Sequence, residues 1–102
     1  MDSPGYEVGF PSQRAEEVFA KAIRKIPPKE RLQISEALDR LATNPRSQAK
    51  SFRSLKGVIP IFGYLAQYRL RVGDYRILYD VDDARRKVIL LAILRRNEQT
   101  YD

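Results

Sequence analysis

The sequence predicts an α+β fold, in which an N-terminal strand and an αα-hairpin precede an antiparallel β-meander that packs on the helices. Two stretches in the first half carry apolar residues at the i, i+3, i+4, i+7 spacing of amphipathic helices. Residues 67–79 instead alternate strictly between two faces of an extended chain, with one turn in the middle. We expect a single domain spanning residues 1–102, because this length is close to the commonest domain size.

The helical half follows a short strand candidate, Tyr6–Phe10. Ser12 is placed to cap a first helix that runs to about Ile26, and Pro28 suits the first position of a second helix. Asn44-Pro45 ends that second helix. Both apolar stripes are expected to lie on one face of the sheet, and they comprise Ala15, Val18, Phe19, Ala22, Ile23 and Ile26, then Ile34, Ala37, Leu38, Leu41 and Ala42.

The alternating stretch contains a predicted two-residue turn, Gly73-Asp74, with glycine where a type II′ turn needs a positive φ. This turn pairs Val72 with Tyr75 and places Arg71 directly opposite Arg76. Like charges directly opposite each other destabilise a sheet. We therefore expect this face, which lies away from the helices, to meet an anion.

The rest of the sheet half has weaker patterns. Residues 46–66 are the least regular part, and Pro60 with its two flanking glycines predicts a loop or a broken strand. Asp82–Lys87 is polar and charged and predicts a second turn. Val88–Leu94 is apolar on both faces, as a central strand would be.

The position of Arg95 depends on the length of the second turn. A four-residue loop, residues 83–86, pairs Arg76 with Ile93 and makes Arg95 a diagonal neighbour of Arg76 on the face of Arg71. A loop of three or five residues would turn Arg95 to the other face. With four, one basic patch forms, and Tyr101 is close enough in sequence to fold back beside it; the patch comprises Arg69, Arg71, Arg76 and Arg95.

Composition limits the possible chemistry. The chain has no cysteine and no histidine, which removes disulfides, thiolate metal sites and the usual general base near neutral pH. Its net charge of +6 is uneven, since residues 1–49 carry 8 Lys/Arg and 7 Asp/Glu whereas residues 50–102 carry 11 and 6. A basic sheet half favours a polyanionic partner. Without a long apolar run or a signal-like N-terminus, we expect no membrane association and a cytoplasmic protein.

The same residues also allow less specific interpretations than an anion-binding site. Arg69 and Arg71 are also compatible with solvated charge on an exposed strand face, and Arg76 with an ion pair to Asp74 or Asp80. The three tyrosines of the hairpin fit core packing better than catalysis, because they face the helices; they are Tyr68, Tyr75 and Tyr79. The acidic run at 80–83 lacks the glycine and the later glutamate of a calcium loop, so we expect no metal.

The run YRLRVGDYRILYDVDD, followed by an apolar strand and then RRNEQTY, resembles the RelE/ParE superfamily of toxins from type II toxin–antitoxin pairs. The resemblance covers nearly the whole chain, and a strand, an αα-hairpin and a three-stranded meander in this order match that fold. RelE-type members are ribosome-dependent endoribonucleases that cut mRNA in the A site. ParE-type members share the fold, inhibit DNA gyrase and lack the catalytic set.

The resemblance to the ribonuclease branch implies a catalytic set of Arg69, Arg71, Arg76, Arg95 and Tyr101. We expect the RNA-binding surface to comprise Arg69, Arg71, Arg53, Lys56 and Arg96. The prototype has lysines where this chain has Arg69 and Arg71. Because arginine hardly deprotonates, this change leaves phosphate binding intact and the general base unassigned.

The resemblance also implies partners. They are a cognate antitoxin that is acidic or amphipathic in part, mRNA in the ribosomal A site, and operator DNA only through the antitoxin complex. No cofactor is expected. The expected function is metal-independent mRNA cleavage, and the alternatives are a gyrase inhibitor without nuclease activity and a non-catalytic member that binds nucleic acid or antitoxin.

Overall fold

The computed structural model describes residues 5–45 and 52–95. Its elements, in chain order, are β1 Glu7–Gly9, α1 Gln13–Arg24, α2 Pro28–Thr43, β2 Phe52–Ile61, β3 Tyr64–Val72, β4 Tyr75–Asp82 and β5 Lys87–Arg95. The strands form one sheet in the order β1-β5-β4-β3-β2, with β1 parallel to β5 and the other neighbours antiparallel. The predicted α+β class is confirmed.

Both helices begin at the predicted signals. The Ser12 hydroxyl accepts a hydrogen bond from the Ala15 amide at 3.1 Å, which satisfies one of the donors that a helix N-terminus leaves open. Pro28 is the first residue of α2, where its missing N–H costs nothing. Within the described ranges, neither helix is long and apolar enough to cross a bilayer.

Two apolar clusters cover the two faces of the sheet. The larger one joins the helices to the sheet, and its buried members are Phe19, Ile26, Ile34, Ala37, Leu41, Leu70, Tyr75, Ile77, Tyr79, Val88 and Leu90. The smaller one contains Ala66, Leu78, Ile89 and Leu91. Leu78 alternates along β4 with Ile77 and Tyr79 and so points away from the helices. The far face of the sheet is therefore partly apolar.

The segment predicted as a loop or a broken strand is a broken strand. β2 pairs with β3 at both of its ends, and the register shifts between Ser54 and Ile59. Pro60 is tolerated because β2 is an edge strand of the sheet. Phe62 and Gly63 form the tight turn to β3 with φ values of 52° and 80°, as in a type I′ turn. The meander therefore has four strands rather than three.

The turn at Gly73-Asp74 forms as predicted. Gly73 has a positive φ of 57°, whereas Asp74 does not. This combination fits a type II′ turn, in which only the first of the two loop residues needs the left-handed region. The turn sets the register of β3 against β4 and so positions the side chains of the candidate site.

Replacing Gly73 with alanine is expected to lower the free energy of unfolding by roughly 1–2 kcal/mol, the cost of a Cβ in the left-handed region. Space is not the reason, because a Cβ at Gly73 would meet nothing within 4 Å. Gly57 is the matched control, since a Cβ there also meets nothing and its φ is not positive. Urea denaturation of both variants measures the difference, and equal stability would contradict the turn assignment.

Candidate nucleic-acid interface

Two arginines face each other across β3 and β4. The register pairs Tyr68 with Tyr79 and Arg71 with Arg76, as the sequence predicted. Directly opposite residues in an antiparallel pair have Cβ atoms about 4.5–5.5 Å apart. Arg71 is exposed and Arg76 is half-buried. Two guanidinium groups therefore share one small area of the sheet.

A second arginine pair lies beside the first. Arg53 of β2 is directly opposite Arg69 of β3. Arg69 and Arg71 are two residues apart on the same strand, so their Cα atoms are about 7 Å apart on one face. We call this surface the arginine face, and it consists of Arg53, Arg69, Arg71 and Arg76. Sequence reasoning placed Arg53 in an irregular segment and missed its pairing.

Arg69 is not the exposed side chain that its position on a polar strand face suggested. It is 1% exposed, and all three guanidinium nitrogens are buried. It takes part in a polar, ionic or ring interaction, as a buried charge requires. The neighbouring strand explains the burial in part, because Arg69 is opposite Leu78 of the smaller apolar cluster. Arg69 is therefore the buried member of the arginine face, and Arg53 and Arg71 are its exposed members.

Asp80 is the carboxylate of β4 nearest in sequence to Arg76, and it accepts hydrogen bonds from other groups. One oxygen of Asp80 accepts a hydrogen bond from the Gln67 side-chain amide at 3.2 Å and one from the Val81 backbone N–H at 2.9 Å. Asp80 is four residues from Arg76 on an extended strand, a Cα separation of about 13 Å. The alternative in which Asp80 pairs with Arg76 is therefore not favoured by the geometry.

Arg95 does not join the arginine face, and this prediction was wrong. The second turn has the predicted four residues, and Tyr79 pairs with Leu90. The register then shifts by one residue, so that Arg76 is opposite Leu94 instead of Ile93. The extra residue is Leu91, a β-bulge that reverses which face the following residues occupy.

Beyond the bulge, Arg95 is opposite Tyr75. Tyr75 belongs to the cluster between sheet and helices, so Arg95 lies on the helix side at the end of β5. Arg96 and Tyr101 lie outside the described residues, and so does the side chain of Lys56. The site brought together by the structure is thus smaller than the predicted one.

Among residues 5–45 and 52–95, no three His, Cys, Asp or Glu side chains lie close enough to hold an ion. The chemistry available on the arginine face is that of guanidinium groups, which bind phosphate oxygens through two parallel N–H donors. The arrangement fits a ligand that carries closely spaced anionic groups, as a nucleic acid backbone does.

Residues 10–100 match the family model of the ParE toxin of type II toxin–antitoxin systems, parDE. The chain belongs to the ParE toxin family. It is thus a toxin of the type II toxin–antitoxin class, within the superfamily that the hairpin sequence resembled. No curated protein matches this ParE-family chain.

Solved structures similar to this ParE-family toxin include complexes of RelE with RelB and a free RelE toxin. RelE of the archaeal RelE–RelB complex from Pyrococcus horikoshii OT3 has a TM-score of 0.70 and 22% identity, over 93% of this chain and 99% of that one. The RelBE2 toxin–antitoxin complex of Mycobacterium tuberculosis contains a chain at TM-score 0.61 and 24% identity, covering 90% and 99%. E. coli toxin RelE, in the free state and as a double arginine-to-alanine mutant, gives 0.57 and 25%, covering 91% and 85%. These likenesses confirm the RelE-like fold of the ParE-family chain.

Proposed function

We propose that this toxin is an endoribonuclease that holds the RNA backbone on the arginine face and cleaves mRNA during translation. The observation that supports it best is the cross-strand pair of Arg71 and Arg76 beside Arg53 and Arg69. Arg53 and Arg71 are exposed, so their guanidinium groups are accessible to a phosphate, which they can bind through two parallel N–H donors. Arg76 is half-buried, takes part in a further interaction, and lies directly opposite Arg71, where its positive charge adds to the attraction for an anion.

The proposed reaction needs no cofactor. The ribose 2′-oxygen attacks the adjacent phosphorus, the bond from phosphorus to the 5′-oxygen breaks, and the 2′-hydroxyl proton is transferred to the departing oxygen. The products are a 2′,3′-cyclic phosphate and a 5′-hydroxyl. Arg71 and Arg76 stabilise the negative charge that grows on the phosphoryl oxygens.

The face supplies charge stabilisation but no good base at neutral pH. Arginine stays protonated, and the chain has no histidine. A macromolecule that holds the RNA with its 2′-hydroxyl in line with the bond to be broken would lower the activation barrier by positioning. This positioning would compensate for the missing general base. This chemistry favours the ribosome, with mRNA in its A site, as the place of cleavage. Tyr101, which lies outside the described residues, stays a proposed contributor near the leaving group.

Mapping mRNA ends in cells after induced expression tests the proposal. We expect new 5′-hydroxyl ends within translated reading frames and fewer such ends when translation initiation is blocked. Growth arrest without new ends would exclude the nuclease function.

A cognate antitoxin is the protein partner that family membership supports. The family model is that of the ParE toxin of type II toxin–antitoxin systems. Three of the similar structures are toxin–antitoxin complexes, from Pyrococcus horikoshii, Mycobacterium tuberculosis and Methanococcus jannaschii. The antitoxin proposed here holds this chain inactive until it is removed.

DNA gyrase is the target in a second candidate function. The match to the ParE family model favours it, and so does the separation of Arg95 from the arginine face. On this account the arginine face binds protein or DNA without cleavage. A supercoiling assay with purified gyrase distinguishes the two functions, because only the second predicts loss of supercoiling activity on addition of the toxin.

A further inference from the structure

The arginine face has an apolar border on the side of β5. Arg76 of β4 lies between Arg71 of β3 and Leu94 of β5 in one row across the sheet. Ala92 lies in the neighbouring row, opposite Leu78. Residues directly opposite each other share a face of the sheet, and Ala92 and Leu94 both pack against the smaller apolar cluster. We call these two residues of β5 the apolar border.

The apolar border lies at an open edge of the sheet. Ala92 and Leu94 are half-buried, so part of each side chain is accessible to a ligand. β1 is the outer neighbour of β5, but it pairs only with residues 87–89. Within residues 5–45 and 52–95, β4 is the one strand that pairs with β5 beyond Ile89. A ligand on the arginine face can therefore extend over this border.

The distance across the sheet fits a single nucleotide. Neighbouring strands are about 4.8 Å apart, so the Cα atoms of Arg71 and Leu94, two strands apart, are separated by about 10 Å. This is close to the length of a nucleotide from its phosphate to the far edge of its base. Arg71 is exposed and can hold the phosphate. Arg76, which takes part in another interaction, is not required as a donor in this arrangement.

The division of charge on this surface matches that of a single nucleic acid strand. The cations of β2 and β3 are Arg53, Arg69 and Arg71, whereas the border on β5 is uncharged. A single strand carries all its charge on the backbone and presents the flat faces of its bases to the other side. Proteins bind unpaired bases by packing aromatic or apolar side chains against those faces. A duplex keeps these faces stacked inside and fits the border less well.

We propose that Leu94 contacts an unpaired nucleobase, which packs on the apolar border while Arg71 holds the phosphate of the same nucleotide. This inference rests on the proposed function, because it requires RNA on the arginine face, and it adds a determinant of base preference. The side chains of Ala92 and Leu94 have no polar atoms, so the border distinguishes bases by the size of their faces. Purines should therefore bind more tightly than pyrimidines.

The test measures filter binding of the full chain to two radiolabelled probes. One is 2′-O-methyl pentaadenylate, which attack by a 2′-oxygen cannot cleave, and the other is the same backbone without bases. The unchanged toxin should bind pentaadenylate about fivefold more tightly than the base-free backbone, the low end of the effect of a base contact. The 2′-O-methyl pentauridylate should fall between the two. Leu94→Gln, which keeps the length of the side chain, should bind pentaadenylate about fivefold more weakly than the unchanged toxin.

Affinity for the base-free backbone separates a lost base contact from a distorted arginine face. Leu94→Gln should bind that probe as the unchanged toxin does, since no phosphate contact is removed. Leu32→Gln is the matched control, because Leu32 is an exposed leucine of α2. It should retain the fivefold preference for pentaadenylate. Circular dichroism verifies folding, and Leu94→Ala replaces the glutamine variant if that protein is not folded.

Two failures of this test have different meanings. If the unchanged toxin binds both probes equally, or if Leu94→Gln retains the preference for pentaadenylate, the base contact is overturned. RNA binding by the arginine face would then stand, and the border would be free for a protein partner. If the unchanged toxin binds neither probe, the base contact and the proposed action on RNA are both overturned.

Discussion

The variant Arg76→Ala is expected to cleave mRNA about 10²–10³-fold more slowly than the unchanged toxin, the usual cost of removing one preorganised donor from a developing oxyanion. Arg76 lies opposite Arg71 and is half-buried, so its guanidinium is more restricted than that of a fully exposed arginine. Single-turnover cleavage of ribosome-bound mRNA, measured at saturating toxin, reports this rate.

Arg31→Ala is the control for the loss of one positive charge. Arg31 is an exposed arginine of α2, on the layer that covers the other face of the sheet. Its replacement should leave the cleavage rate unchanged within about twofold, as expected for a surface substitution away from the site. Equal rates for Arg76→Ala and Arg31→Ala would remove Arg76 from the site.

Ile77→Ala is expected to lower the free energy of unfolding by roughly 2–5 kcal/mol, the range for truncating a fully buried isoleucine. Ile77 is 0% exposed and belongs to the larger cluster, between the sheet and the helices. A domain of this size has about 5–15 kcal/mol of total stability, so the variant approaches the limit of folding at 37 °C. Urea denaturation followed by circular dichroism measures the loss.

Ile77→Val separates packing from function. It removes one methylene group and should cost only about 0.5–1.5 kcal/mol, with cleavage unchanged once both proteins are folded. A loss below about 1 kcal/mol for Ile77→Ala would show that the site collapses around the smaller side chain or that Ile77 is not in the core. The two Ile77 variants also serve as a comparison for Arg76→Ala, which should lower the rate of mRNA cleavage and leave the free energy of unfolding unchanged.

The β3–β4 hairpin could be predicted from sequence because three local signals agree there. The alternation of arginine with apolar residues fixes the face, Gly73-Asp74 fixes the turn, and together they fix the register. The helices were equally readable, since Ser12 and Pro28 mark their starts and the apolar stripes mark their buried faces. The turn at Phe62-Gly63 was not predicted, because phenylalanine is rarely found at a position with a positive φ.

The bulge at Leu91 could not be predicted, because β5 is apolar at every position from Val88 to Leu94. A strand that is hydrophobic on both faces looks the same in either register, so nothing local specifies the extra residue. Its consequence is large, since it moves the Arg95 side chain from the arginine face to the helix side of the sheet. One inserted residue thus separates two surfaces that the sequence pattern joined.

The burial of Arg69 escaped prediction for a different reason. Strand alternation assigns a residue to a face but does not say whether that face is covered. Leu78 opposite Arg69, and the apolar residues of β5, were the available sign that the far face has its own cluster. The position of Arg53 opposite Arg69 could not be predicted either, because it depends on how an edge strand with an irregular register pairs with β3.

The salt dependence of RNA binding tests most directly whether the arginine face holds a nucleic acid backbone. For single-stranded RNA, the logarithm of affinity falls with the logarithm of salt concentration with a slope of about −0.7 for each phosphate neutralised. We expect Arg71→Ala and Arg76→Ala each to reduce the magnitude of this slope by about 0.7, and Arg31→Ala to leave it unchanged. Slopes that are the same for all three variants would contradict the assignment of the arginine face as the RNA-binding surface.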